Sequence, residues 1–279
     1  MNIRFAVRKI QLVIPVFTIL VIAGCNTANR DAQTTDTQEQ ATELNKQEIE
    51  ANVEALVADL PTPFEFAQML NEIGIRYVSE VLNTVNNVDN YFTEKSQALN
   101  LGVYSADLGY STIYENQEDI RAYMEAVKTL LDELKVDVDY SFLMDENHKE
   151  RMADKDTIVD VVTETFFEAY EFLNEKNSPE LAALMAAGMW IEGVYIATHI
   201  SDESFDNVDM VKLIYEQGNT LTPLIDLLNK FEGSNEVKDL ATDLQELKAI
   251  YDRTEGSLTK EELQMIKNNI EKLRAKIIS

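Results

Sequence analysis

Apolar residues recur at three- and four-residue spacing from about Gln47 onward, alternating β-branched runs are absent, and Gly and Pro are scarce. That period belongs to amphipathic helices, so the pattern predicts an all-α fold: a multi-helix bundle or a superhelical stack. Helices are expected near 47–59, 63–86, 94–113, 117–135, 155–175, 179–200, 208–231, 236–254 and 260–277. Thr62-Pro63-Phe64-Glu65 combines an N-cap threonine, a first-turn proline and a capping-box glutamate. Ser178-Pro179-Glu180 repeats the Ser-Pro opening, and Thr259-Lys260-Glu261-Glu262 is a second capping box. Val237, Leu240, Leu244, Leu247 and Tyr251, then Leu263, Ile266, Ile270, Leu273 and Ile277, form two apolar stripes joined through Gly256. They predict an antiparallel hairpin over 236–278 that caps the body or presents a docking face.

Self-comparison reveals internal similarity. Tyr114-Glu115-Asn116-Gln117-Glu118-Asp119-Ile120-Arg121 matches Phe205-Asp206-Asn207-Val208-Asp209-Met210-Val211-Lys212 in residue class at an offset of 91, as Glu80 to Asn83 matches Glu171 to Asn174. Gly102-Val103-Tyr104 faces Gly188-Met189-Trp190 at an offset of 86. These matches point to a duplicated three-helix unit, 63–136 and 155–231, with the five-residue change absorbed around Ala197 to Ser201. Chance likeness between amphipathic helices is the alternative that sequence leaves open.

The first residues break the helical pattern differently. Met1 to Lys9 carry Arg4, Arg8 and Lys9 and no acid, and Ile10 to Ala23 is apolar except for Gln11 and Thr18 and a proline at 15. As a helix this run reaches about 21 Å, short of the roughly 30 Å hydrocarbon core, so it reads as an export signal rather than a permanent span. It ends in Val21-Ile22-Ala23-Gly24-Cys25, which resembles the lipobox of bacterial lipoproteins. The resemblance implies cleavage after Gly24 (signal peptide 1–24), a diacylglycerol on the Cys25 thiol, usually an acylated amino terminus, and hence a membrane partner held through lipid. More than one acyl chain gives a stable anchor. Asn26 is not the aspartate that retains enterobacterial lipoproteins in the inner membrane, so the likeness favours the outer membrane, with the leaflet open.

Cys25 is the only cysteine, so an exported body has no internal disulfide and depends on packing. Asn26 to Lys46 is polar and lacks aromatics, so residues 25–46 read as a flexible tether of roughly 25 Å reach, ahead of one helical domain over 47–279. The whole chain carries a formal charge of −26; losing residues 1–24 removes three bases and no acid, leaving 21 Lys+Arg against 50 Asp+Glu, or −29. No basic stripe is visible, which excludes nucleic acid as a partner. The acidity serves solubility first, and cationic partners second.

Familiar chemistry is missing from the motifs. His148 and His199 stand apart, there is no His-Glu-x-x-His, Gly-x-Ser-x-Gly or glycine-rich phosphate loop, and the acids near Asp137 and Asp139 lack calcium-loop spacing. No metal or cofactor is expected, and no enzymatic role. A site, if present, belongs between the two middle helices. There Asp107, Tyr110 and Tyr114 share one face, Glu192, Tyr195 and His199 share its counterpart, and Tyr104 and Trp190 lie nearby. Two such faces meeting would line a polar-aromatic pocket for a small ligand, with Asp107 or Glu192 orienting it and His199 titrating near neutral pH. The competing reading is a packed core with satisfied polar tips, with Gly102, Gly109, Gly188 and Gly193 allowing close approach.

Leu101 to Tyr110 and the Leu60-Pro61-Thr62-Pro63 opening loosely resemble helical lipoproteins of Bacteroidota that have no assigned activity, over about half the chain. That likeness carries no function across. Imelysin-type iron-uptake lipoproteins are also helical duplications, but their Gly-x-His-x-x-Glu motif is missing here. The expectation is therefore a lipid-anchored envelope protein acting as an interaction or scaffold module for an unidentified partner, or as a small-ligand binder.

Overall fold

The computed structural model describes residues 49–57, 60–138, 155–176, 178–200, 205–231 and 233–279. The expected signal segment and tether, with Cys25, and also Asp139 and His148 lie outside the described residues. Ten helices, and no strand among the described residues, make an all-α fold. They are α1 (49–57), α2 (Pro63–Glu72), α3 (Glu94–Ile113), α4 (Gln117–Glu133), α5 (Lys155–Lys176), α6 (Pro179–His199), α7 (Val208–Glu216), α8 (Gly218–Leu228), α9 (Asn235–Tyr251) and α10 (Lys260–Ile277).

Side chains close the helix starts as the sequence anticipates. Thr62 and Glu65 exchange both capping-box bonds, and Thr259 and Glu262 do the same. Ser178 differs: its hydroxyl makes no cap bond, and Pro179 alone opens α6. Asn116 and Asn207, 91 residues apart, cap α4 and α7 alike, each side-chain oxygen accepting from the second and third following backbone N–H groups.

At the centre α3 and α6 cross, both buried along nearly their whole length. Helix α6 has the length and apolarity of a membrane span, 21 residues containing an 18-residue window at a mean hydropathy of 1.5, yet 94% of that window is buried inside the fold, as in a core helix. A Cβ on Gly102 would lie 1.9 Å from the Met185 carbonyl oxygen, and one on Gly188 1.9 Å from that of Leu99. The contact is reciprocal, since Met185 follows Leu99 by the same 86 residues that separate Gly188 from Gly102. A two-fold relation between two helices produces this kind of contact. Around the pair, α2 and α4 pack on α3, α5 and α10 pack on α6, and α9 covers α8 and α10.

Two expected helices are interrupted. The 63–86 helix stops at Glu72, where Gly74 takes a left-handed φ of +83° and the Ile75 N–H turns back to Leu70 O at 3.2 Å. Beyond that turn the chain runs as an irregular strap, 75–91, with short 3-10 turns at Ser79–Val81 and Val85–Asn90. The 208–231 helix breaks at Gln217 into α7 and α8. Pro223 cannot donate to Asn219 O and its ring crowds that carbonyl, placing the kink a turn upstream.

Candidate functional site

The strap carries backbone polar groups that no helix satisfies, and side chains of α3, its C-cap Tyr114 and α4 supply the partners. Tyr114 donates to Ile75 O at 2.8 Å, Tyr123 to Asn83 O at 2.9 Å and Tyr104 to Thr84 O at 2.9 Å, while the Val78 N–H donates to the Tyr110 hydroxyl at 3.0 Å. Tyr77 turns back from the strap to Asp119 Oδ2 at 2.5 Å, its ring stacked on Tyr110 at 4.9 Å. Burial raises the pKa of each of these hydroxyls, Tyr114 to about 12, so they remain donors at neutral pH.

The strap also delivers two backbone groups to a buried charged cluster. Asp107 of α3 and Glu192 of α6 are both 0% exposed, and Arg274 of α10 is 7% exposed. Arg274 Nε and Nη2 donate to the two Glu192 oxygens at 2.6 and 2.7 Å, a bidentate pair, and Nη2 also donates to Val81 O at 3.3 Å. The Asn83 N–H donates to Asp107 Oδ2 at 3.2 Å. Burial, then the adjacent Glu192 charge, push the Asp107 pKa well above the usual carboxylate range; Arg274 and the Asn83 N–H oppose this without reversing it. Burial pulls Arg274 down, but Glu192's charge and hydrogen bonds outweigh it, so the guanidinium stays charged.

A stacked column runs outward from this cluster. The Arg274 guanidinium lies 3.9 Å from the Tyr195 ring centroid, and Tyr195 stacks on His199 at 4.0 Å. His199 Nδ1 is 3.0 Å from Tyr195 O, while its buried Nε2 has no hydrogen-bond partner among the described residues. Burial lowers the His199 pKa below its ordinary 6.5 despite the Tyr195 carbonyl, with Lys267 and Arg274 adding to the effect and Glu271 opposing it. The ring is therefore neutral at neutral pH, and the expected titration close to pH 7 is displaced downward.

Sequence reasoning places Asp107 and Glu192 on facing surfaces, and the structure brings them together, but Arg274 fills the space expected to hold a ligand. Tyr104 braces the strap beside the cluster. Tyr110 belongs to the tyrosine stack, and Trp190 turns away to donate to Thr220 Oγ1 at 2.9 Å. Tyr110 and Trp190 do line a crevice with Pro63, Phe66 and Gly193, but its 20 Å³ holds about one water. Of the two readings the sequence leaves open, a polar-aromatic pocket and a packed core, this geometry is that of the packed core, closed by Arg274.

Arg274, Asn83 and Tyr123 were not anticipated. Arg274 had a signal: it continues the four-residue step of Ile266 and Ile270, where a buried aliphatic belongs. Asn83 had none, because its role depends on the strap path. Among the described residues no three His, Cys, Asp or Glu side chains converge as metal ligands. No family model, curated protein or solved structure matches this chain.

Proposed function

We propose that this chain is an exported, lipid-anchored protein of the bacterial cell envelope, whose helical body acts as an interaction or scaffold module rather than as an enzyme. Cys25 carries the anchoring: the chain's one cysteine ends a short apolar run behind a basic start. Asn26 after it favours the outer membrane. The non-enzymatic part is supported by the polar core, where Glu192 and Arg274 pair with each other, Asp107 and Arg274 bond the strap, and neither Asp107 nor Glu192 is exposed to meet a substrate. The acidic surface suits neutral or cationic protein partners and repels polyanions.

A ligand-binding role has one observation in its favour, in a place the sequence did not indicate. A cleft of about 250 Å³ lies among α3, α6, α9 and α10, floored by Leu99, Leu184, Leu240 and Leu273 and rimmed by Lys95 and Asp239.

The anchor is tested with Cys25→Ala, which should yield an unprocessed precursor that takes up no fatty-acid probe; normal processing and labelling would overturn it. The body is tested by crosslinking the acylated protein in its own envelope and scoring proteins and small molecules together. A stoichiometric protein partner supports the module. A stoichiometric small molecule without one favours the ligand-binding role.

A further inference from the structure

The buried cluster sets two carboxyl groups against one guanidinium. Arg274 spends its Nε and Nη2 bonds on Glu192 and Val81 O. Asp107, within hydrogen-bonding reach of Glu192, receives the Asn83 N–H at Oδ2, while its Oδ1 has no donor among the described residues. If both carboxyls were ionised, a site closed to water would hold an uncompensated negative charge and a bare acceptor. Adjacent buried carboxyls avoid this by holding one proton between them.

We propose that Asp107 and Glu192 form a buried proton-binding site, in which Asp107 Oδ1 carries a proton donated to Glu192 and the neutral cluster fastens α10 to the α3–α6 pair. The proton comes from solvent and converts the carboxylate to the acid, so the site becomes electrically neutral and Oδ1 becomes a donor. The titratable groups facing Asp107 are Tyr104 on its own helix, Tyr123 of α4, Glu192 and Tyr195 of α6, Arg274 of α10 and, behind Asn83, Tyr91 of the strap. The tyrosine hydroxyls stay neutral, which leaves Glu192 and Arg274 as the charges that decide the site. Loss of the proton would set Asp107 in competition with Glu192 for Arg274. Farther along α10, hydrogen bonds from Asn100 to Ile277 O at 2.7 Å and from Lys276 to Asp243 at 2.6 Å do not involve that proton. The loosening should therefore centre on the turn that carries Arg274.

The test uses the full chain in detergent micelles. The carboxyl carbon of Asp107, followed by NMR against pH, should show the chemical shift of a protonated acid at pH 7; the shift of a carboxylate there overturns the proposal. Amide hydrogen exchange in α10 should then accelerate beyond the ordinary base-catalysed rise as pH passes through the Asp107 titration, and Asp107→Asn should abolish that excess. An excess that persists in Asp107→Asn, or none in the unmodified chain, overturns the fastening role. If Asp107→Asn does not fold, the carboxyl shift and the exchange profile of the unmodified chain still decide.

Discussion

Arg274 of α10 grips Glu192 of α6 through parallel hydrogen bonds of 2.6 and 2.7 Å, across 82 residues of chain and almost wholly buried. Removing one partner of such a pair strands the other, because a buried carboxylate without its cation pays the desolvation cost alone. Arg274→Met should lower stability by about 3–5 kcal/mol, read from urea unfolding. Adding Glu192→Met should restore part of that loss by removing the stranded charge. A double variant no more stable than Arg274→Met would show that the loss lies in packing.

Where α3 crosses α6 the obstacle is backbone, which cannot swing aside as a side chain can. Gly102→Ala and Gly188→Ala each place a methyl group 1.9 Å from a carbonyl oxygen of the other helix. Each should cost at least the 1–3 kcal/mol typical of overpacking, against a small helix-propensity gain for alanine. Gly233→Ala is the control, since nothing lies within 4 Å of its added Cβ. Thermal unfolding of the three variants decides; Gly102→Ala behaving like the control would refute the close crossing.

The hairpin was legible because its residues follow one period and bury one continuous face: Leu240, Leu244, Leu263, Ile266 and Ile270 are all in the core. The central helices, buried on nearly every side, were legible from their length, their apolar content and their end signals. The strap was not. Ile75, Val78, Val81 and Val85 keep three- and four-residue spacing, so the pattern extends the helix to 86 although Gly74 marks its end. What stabilises the departure is a set of tyrosine hydroxyls 20 to 40 residues further along, which periodicity does not register. The charged cluster was half legible, because two acids on apolar helices require a base but nothing in their spacing says which one.

Those tyrosines give a paired test. Tyr123→Phe removes the donor to Asn83 O and leaves a buried carbonyl without it, for a loss of about 1–3 kcal/mol. Tyr170 is equally buried, but its hydroxyl has no hydrogen-bond partner among the described residues. Tyr170→Phe should therefore cost nothing or stabilise slightly. Equal effects of the two substitutions on the urea midpoint would mean that the hydroxyls do not hold the strap.

Stability against pH should carry two opposed contributions from the central column. Asp107 has a folded pKa raised above its ordinary 3.8, first by burial and then by Glu192, so the folded chain binds the extra proton between those values. Its contribution is complete below the ordinary value and is lost as pH rises through the folded one. His199 has a folded pKa lowered from 6.5, chiefly by burial, so the unfolded chain binds the extra proton in that window and stability is lost as pH falls from 6.5 toward the folded value. Many other carboxylates titrate in a chain of net charge −26, so the informative quantity is the difference between each variant and the unmodified protein. Asp107→Asn should remove the loss on the alkaline side, and His199→Phe, which retains a ring against Tyr195, the loss below 6.5. Urea unfolding across a pH series measures both; parallel curves for a variant and the unmodified chain would rule out that residue's contribution.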